Sequence, residues 1–219
     1  MVANIHANRY SRAEEIASSI VHGLGILLSI AGLAVMASFA SLFGTAWHIV
    51  STSIYGATQV LLYTASTLYH AIPIDRAKKI LRTLDHSAIF LLIAGTYTPF
   101  ALVNLRGPWG WALFGVVWSL AVLGIALQGF MLKQRRWVNA IPYVAMGWLA
   151  VIAIGPMLSN VATGGLLLLL AGGLAYTVGS IFYVWKSLAY NHAIWHAFVL
   201  LGSAFHYFAI LFYVIPLAR

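Results

Sequence analysis

The chain has no cysteine and few charges. Only 7% of its 219 residues are Asp, Glu, Lys or Arg, and just 4 are acidic. The missing cysteine excludes disulfides, iron–sulfur clusters and thiolate metal sites. Soluble domains carry about 25% charged residues and about 45–50% apolar ones. Here hydrophobic residues reach 62%. A small soluble core cannot bury that much apolar surface, which excludes a soluble globular enzyme, and the same composition excludes disorder. No basic face or recognition motif accompanies the net charge of +8, so no nucleic-acid partner is expected. No cleavable signal is expected either. The polar start runs to Glu15 and the apolar run that follows is too long.

What is present is a series of long apolar runs. Seven are read, at roughly 16–39, 48–70, 86–105, 109–131, 138–158, 164–185 and 193–216, each near the roughly 20 residues that cross a bilayer as a helix. Unbroken stretches such as Leu166 to Leu170 do not alternate as barrel strands would. Gly44, Pro73, Gly107-Pro108 and Thr163-Gly164-Gly165 punctuate the runs. The expected fold class is an all-α integral membrane protein. It is one seven-transmembrane helix bundle over 1–219, with no separate soluble domain.

With seven spans the basic residues sort by side. Arg9, Arg12, Arg76, Lys78, Lys79, Arg82, Lys133, Arg135, Arg136 and Lys186 share one side; Arg106 and Arg219 share the other. Basic residues favour the cytoplasm, so the N-terminus is expected inside and the C-terminus outside. Trp47, Trp109, Trp111 and Trp137 read as an interfacial belt.

Ionisable residues within spans point to function. The topology brings His70, Asp85-His86, His192, His196, Glu14, Glu15 and His22 to the cytoplasmic ends of four runs. His192 and His196 are four apart and share one helix face. With His70 they offer three imidazoles, and three imidazoles plus a water describe an open zinc site. Asp85 can orient that water and act as general base. Ser66 shares the face of His70 and can bond a carbonyl or the water. Glu15 and His22, seven apart, can hold the rear nitrogens of metal-bound imidazoles.

Plainer roles stand beside these. Asp85 can be the N-cap of the third helix, Ser66 can bond a carbonyl one turn back, and His70 can simply sit at the interface. Glu15 can complement a helix dipole, and the imidazoles can bond one another between helices. His206, about 21 Å further along its helix than His192, reads as a cavity or interhelical hydrogen-bonder. His6 and His48 read as incidental.

At these residues the chain resembles the hemolysin III-type bacterial branch of the progestin and adiponectin receptor family. The carrying segments are EIASSIVHGLG from Glu15, STLYH from Ser66, LDHSAIFLLIAGTYTPF from Leu84 and HAIWHAFVLLGSAFH from His192, in the family order and spanning nearly the whole chain. The resemblance implies a zinc ion held by His70, His192 and His196. It implies that Asp85 reaches the metal through water, that Ser66 is the motif serine, and that Glu15 and His22 lack direct metal roles. The wider group includes alkaline ceramidases, which hydrolyse lipid amides with the same constellation. The chain departs from the animal receptors in lacking their long N-terminal domain. It also carries His86 where they have an aromatic.

The expected function is zinc-dependent hydrolysis of a membrane lipid amide or ester, with a lipid or fatty-acyl substrate as partner and an effect on lipid composition. The alternative is a non-enzymatic lipid or membrane-state sensor with structural zinc. A cytolysin ranks below both. A retinal pump is disfavoured, because no mid-span Lys is available for a Schiff base.

Overall fold

The computed structural model describes residues 10–132 and 135–216. His6, Arg9, Lys133 and Arg219 lie outside the described residues. Among those described, the chain is helical with no strand. The helices are α1 (Arg12–Phe43), α2 (Ala46–Ala71), α3 (Asp75–Pro99), α4 (Pro108–Met131), α5 (Arg136–Gly147), α6 (Ile154–Asn160), α7 (Thr163–Val184) and α8 (Asn191–Tyr213). A π-helical turn (Phe100–Asn104) continues α3, and a 3-10 segment (Trp148–Ala153) joins α5 to α6.

Local chemistry sets these boundaries. Ser11 caps α1 in a reciprocal capping box with Glu14. Pro108 opens α4, where its missing N–H is no loss. Gly107 before it takes a φ of 140°, open only to glycine. Pro156 cannot bond back to Ile152, and the helix tightens to 3-10 geometry just before it. The Tyr97 hydroxyl meets backbone groups where α5 gives way to the 3-10 segment. It donates to the Gly147 carbonyl (2.6 Å) and accepts the Ala150 N–H (2.9 Å).

The rods close a ring in which α1 packs on α2, α2 on α3, α3 on α5, α5 on α7, α7 on α8 and α8 on α1, with α4 outside against α3. Close approach uses small residues, as expected in lipid. A Cβ on Gly25 would strike the Tyr63 ring, and one on Gly95 would strike Thr58.

Six rods are long and apolar enough to cross a membrane: α1, α3 with its π turn, α4, α5 through α6, α7 and α8. The fold is an integral-membrane helical bundle. The run read at 48–70 folds as one long rod, α2. Buried Ser51, Thr52, Thr58, Gln59, Ser66 and His70 dilute its apolar content, so it falls outside those six. The most apolar stretch of α3 is 72% buried against 17% for those of α1 and α4, so α3 is an inner rod. The large apolar side chains of α1 and α4, among them Leu27, Leu28, Leu42, Val122 and Leu123, are exposed at the outer surface.

Two boundaries differ from expectation. Helix α3 starts at Asp75, about three turns before the apolar run at 86–105. Asp85 therefore lies well inside the helix and is not its N-cap. The run at 138–158 is not one regular helix but α5, the 3-10 segment and α6.

Candidate metal centre

The site forms where helix ends meet. His70 is in the last turn of α2, and α8 brings His192 and His196 in its first turns. Glu15 is in the first turn of α1, and His22 lies two turns further on. Tyr190, in left-handed backbone with φ 57°, sets the entry to α8. Its N–H bonds Glu14 Oε1 (2.9 Å) and ties that entry to α1.

Three imidazoles converge. His70 Nε2 lies 3.2 Å from His192 Nε2 and 3.1 Å from His196 Nε2, and all three residues are buried. Two rear nitrogens have partners. His70 Nδ1 is 2.6 Å from Glu15 Oε2, and His196 Nδ1 is 2.7 Å from His22 Nε2. Lys78 Nζ reaches the other Glu15 oxygen at 2.8 Å and the Tyr69 carbonyl at 3.1 Å. The second turn of α3 thus holds Glu15 against His70.

Proton counting tests whether a metal fits. A neutral imidazole has one N–H. In a neutral His70 it is on Nδ1, donated to Glu15, which leaves Nε2 a lone pair facing two other Nε2 atoms. One in-plane lone pair cannot accept from both. If His196 donates Nδ1–H to His22, its own Nε2 is a second lone pair only 3.1 Å away. A cation among the three removes both conflicts. The Nδ1 atoms of His22 and His192 are buried without a hydrogen-bond partner among the described residues. Tetrahedral zinc, with bonds of about 2.0–2.1 Å to nitrogen, spaces such ligands roughly 3.3 Å apart. The donor set fits a metal ion.

The other expected residues lie around this trio. Asp85 lines a cavity of about 20 Å³ together with His22, His86, His192 and His196, room for about one water. It is not among the groups whose donor atoms converge. Ser66 is fully buried, its hydroxyl beside Asp85 without a well-formed hydrogen bond. The bond from Ser66 to a carbonyl one turn back is not made. His206 bonds across helices, Nε2 to the Leu169 carbonyl of α7 at 3.3 Å.

Several neighbours escaped the sequence reading. Tyr10 stacks on His192 with ring centroids 4.4 Å apart. Burial raises its hydroxyl well above the usual pKa despite Arg136 nearby, so it stays a neutral donor. His86 Nδ1 lies 3.1 Å from Asp85 Oδ2 and 3.0 Å from the Arg82 carbonyl. At the far end of α2 from the site, His48 is not incidental: its Nδ1 accepts the Thr45 N–H at 3.0 Å and caps that helix. Spacing pointed to none of these except His86, adjacent to the aspartate.

The family model for haemolysin-III-related proteins matches residues 10–207. Hemolysin-3 of Bacillus cereus is 49% identical over 205 residues, 94% of each chain. The Hemolysin-3 homolog of Bacillus subtilis (strain 168) is 48% identical over 202 residues, 92% of this chain and 95% of that one. A more distant relative is the human monocyte to macrophage differentiation factor, 29% identical over 207 residues, 90% of this chain and 83% of that one. The match of the family model over most of the chain and two relatives at 48–49% identity lead to one conclusion: the chain belongs to the haemolysin-III-related family.

Proposed function

We propose that His70, His192 and His196 hold a zinc ion, and that the protein hydrolyses an amide or ester bond of a membrane lipid. One observation carries the reading: three buried Nε2 atoms converge while Glu15 and His22 occupy the rear nitrogens of two. Zinc in such a site supplies Lewis acidity toward a carbonyl and makes a water molecule more acidic. The chain's own residues divide the remaining work. Asp85, oriented by His86 Nδ1, takes the proton of the attacking water from across the small cavity. The Ser66 hydroxyl beside it donates to the oxygen on which charge develops. Water adds to the carbonyl carbon, Asp85 returns the proton to the leaving nitrogen or oxygen as the C–N or C–O bond breaks, and a fatty acid leaves with an amine or alcohol. Glu15 and Lys78 keep the His70 ring in place.

In this reading all seven long rods cross the membrane, α2 shielded by its neighbours. The excess of basic residues on one face supports a cytoplasmic N-terminus, with the site near the inner leaflet of a bacterial inner membrane.

A second reading has its own support. The cavity beside the cluster, at about 20 Å³, takes a water and no lipid chain. That favours a structural zinc in a protein that senses membrane state. Asp85→Ala separates the two. Purified wild-type and variant proteins are assayed for bound zinc and for fatty-acid release from lipid amides and esters. Zinc retained with release abolished is the expected result. Unchanged in-cell function of the variant, with no release by either protein, overturns hydrolysis in favour of sensing.

A further inference from the structure

A second cavity lies beside the imidazole cluster. It has a volume of about 40 Å³ and is lined by Tyr10, Tyr69, Arg82, His86, Arg136 and Tyr183. His86 and Tyr183 line both cavities. Tyr10 joins them differently, stacking on His192 while the Arg136 guanidinium sits 5.1 Å from its ring centre.

The charge balance here is one-sided. The whole chain has four acids, and each is engaged by another partner, although Glu14 also feels the charge of Arg136. Glu14 caps α1 and holds Tyr190. Glu15 binds His70 and Lys78. Asp85 pairs with His86. Asp75 opens α3, about two turns before Arg82. Among the described residues neither Arg82 nor Arg136 forms an ion pair. Arg136 bonds only the Tyr183 carbonyl, at 3.3 Å, and lies over the Tyr10 and Tyr183 rings. The Tyr10 and Tyr69 hydroxyls make no hydrogen bond among the described residues. Two half-buried cations, two spare O–H donors and room for about three waters make a cradle for an oxyanion. Guanidinium forks match tetrahedral oxyanions bidentately.

We propose that this cavity is a phosphate-binding site that takes the headgroup phosphate of an anionic phospholipid or a free phosphate ion. The position favours the lipid. Leu84 and Trp137, both exposed, lie beside Arg82 and Arg136 in sequence, so the arginines stand at the edge of the lipid-facing surface. The site does not depend on the metal reading. Where both hold, it anchors a phosphate next to the imidazole cluster.

Binding to the full chain in detergent is measured by native mass spectrometry with two probes, dioleoyl phosphatidylglycerol and inorganic phosphate. Arg82→Gln and Arg136→Gln are expected to weaken phosphatidylglycerol binding about tenfold or more. Arg106→Gln, a cation stacked on Trp47 elsewhere, leaves it unchanged. Equal losses for inorganic phosphate make the site a reader of the bare ion. Loss confined to the lipid makes it a headgroup site. Wild-type affinity in both variants, or an equal loss in Arg106→Gln, overturns the proposal.

If a Gln variant fails to fold, phenylglyoxal labelling of the wild type decides. Phosphatidylglycerol should protect Arg82 and Arg136 and leave Arg106 reactive. Equal reactivity with and without lipid overturns the site.

Discussion

Helix α8 carries buried imidazoles in both halves, and they do different things. His206 sits in the C-terminal half and bonds through Nε2 to one backbone carbonyl of α7. His192 and His196 face other imidazoles, His70 above all. Residue type, helix and burial are the same. The difference lies in what the ring nitrogens meet. A carbonyl takes the one N–H of a neutral His206 and leaves its Nδ1 without a partner among the described residues, but no second imidazole meets that nitrogen, whereas three Nε2 atoms converge at the other end. Burial and a single unmet nitrogen therefore do not mark a functional histidine in a bundle; converging lone pairs do.

The contrast can be broken at either end. His192→Ala with His196→Ala should have the largest effect, taking bound zinc from about one per chain to near none, since two of the three donors that set the affinity are gone. Metal analysis after chelator-free purification checks this. Equal zinc in both proteins would reduce the cluster to hydrogen-bonded imidazoles.

Loosening the supports should cost less. Glu15→Gln and His22→Phe each leave the three donors present but free a ring that was held. Zinc affinity should fall about 10- to 100-fold, the usual effect of removing an outer partner. Competition with a chelator of known affinity measures it. The two variants act through His70 and His196, whose Nε2 atoms are 3.1 Å apart in one network, so their effects should couple and the double variant should depart from the sum of the singles.

His206→Gln should matter least. Zinc content and affinity should stay within about twofold, with a stability loss of about 0.6–1.7 kcal/mol, the range for interhelical hydrogen bonds in a bilayer. Thermal unfolding in detergent reads the loss. A fall in zinc as large as that of the double variant would erase the distinction between the two halves of α8.

Much of this arrangement was legible from spacing. Apolar runs locate the rods, and the four-residue interval places His192 and His196 together. The Glu15–His22 interval puts those two on one side of α1, but it does not tell which imidazole each meets. That depends on how α1 lies between α2 and α8. The start of α3 was hidden because its first turns are charged. Lys78 is nonetheless satisfied there by Glu15 and the Tyr69 carbonyl. The break between α5 and α6 is held by Tyr97, some 50 residues earlier, a contact no local pattern contains. Arg82 and Arg136 read as topology markers from their sign alone. Only the fold sets them around one cavity.

The placement of the imidazoles also orders events during synthesis. His70 belongs to α2, but His192 and His196 belong to α8, which the ribosome makes after every other helix described. Glu15 can meet His70 as soon as α1, α2 and the first turns of α3 are in the bilayer. The second and third imidazoles must wait until α8 inserts and packs between α7 and α1. A nascent chain stalled before that point can hold a single ring and no cluster. Metal uptake would then report a finished bundle, and a truncated copy would be recognisable to the cell by its inability to retain the ion.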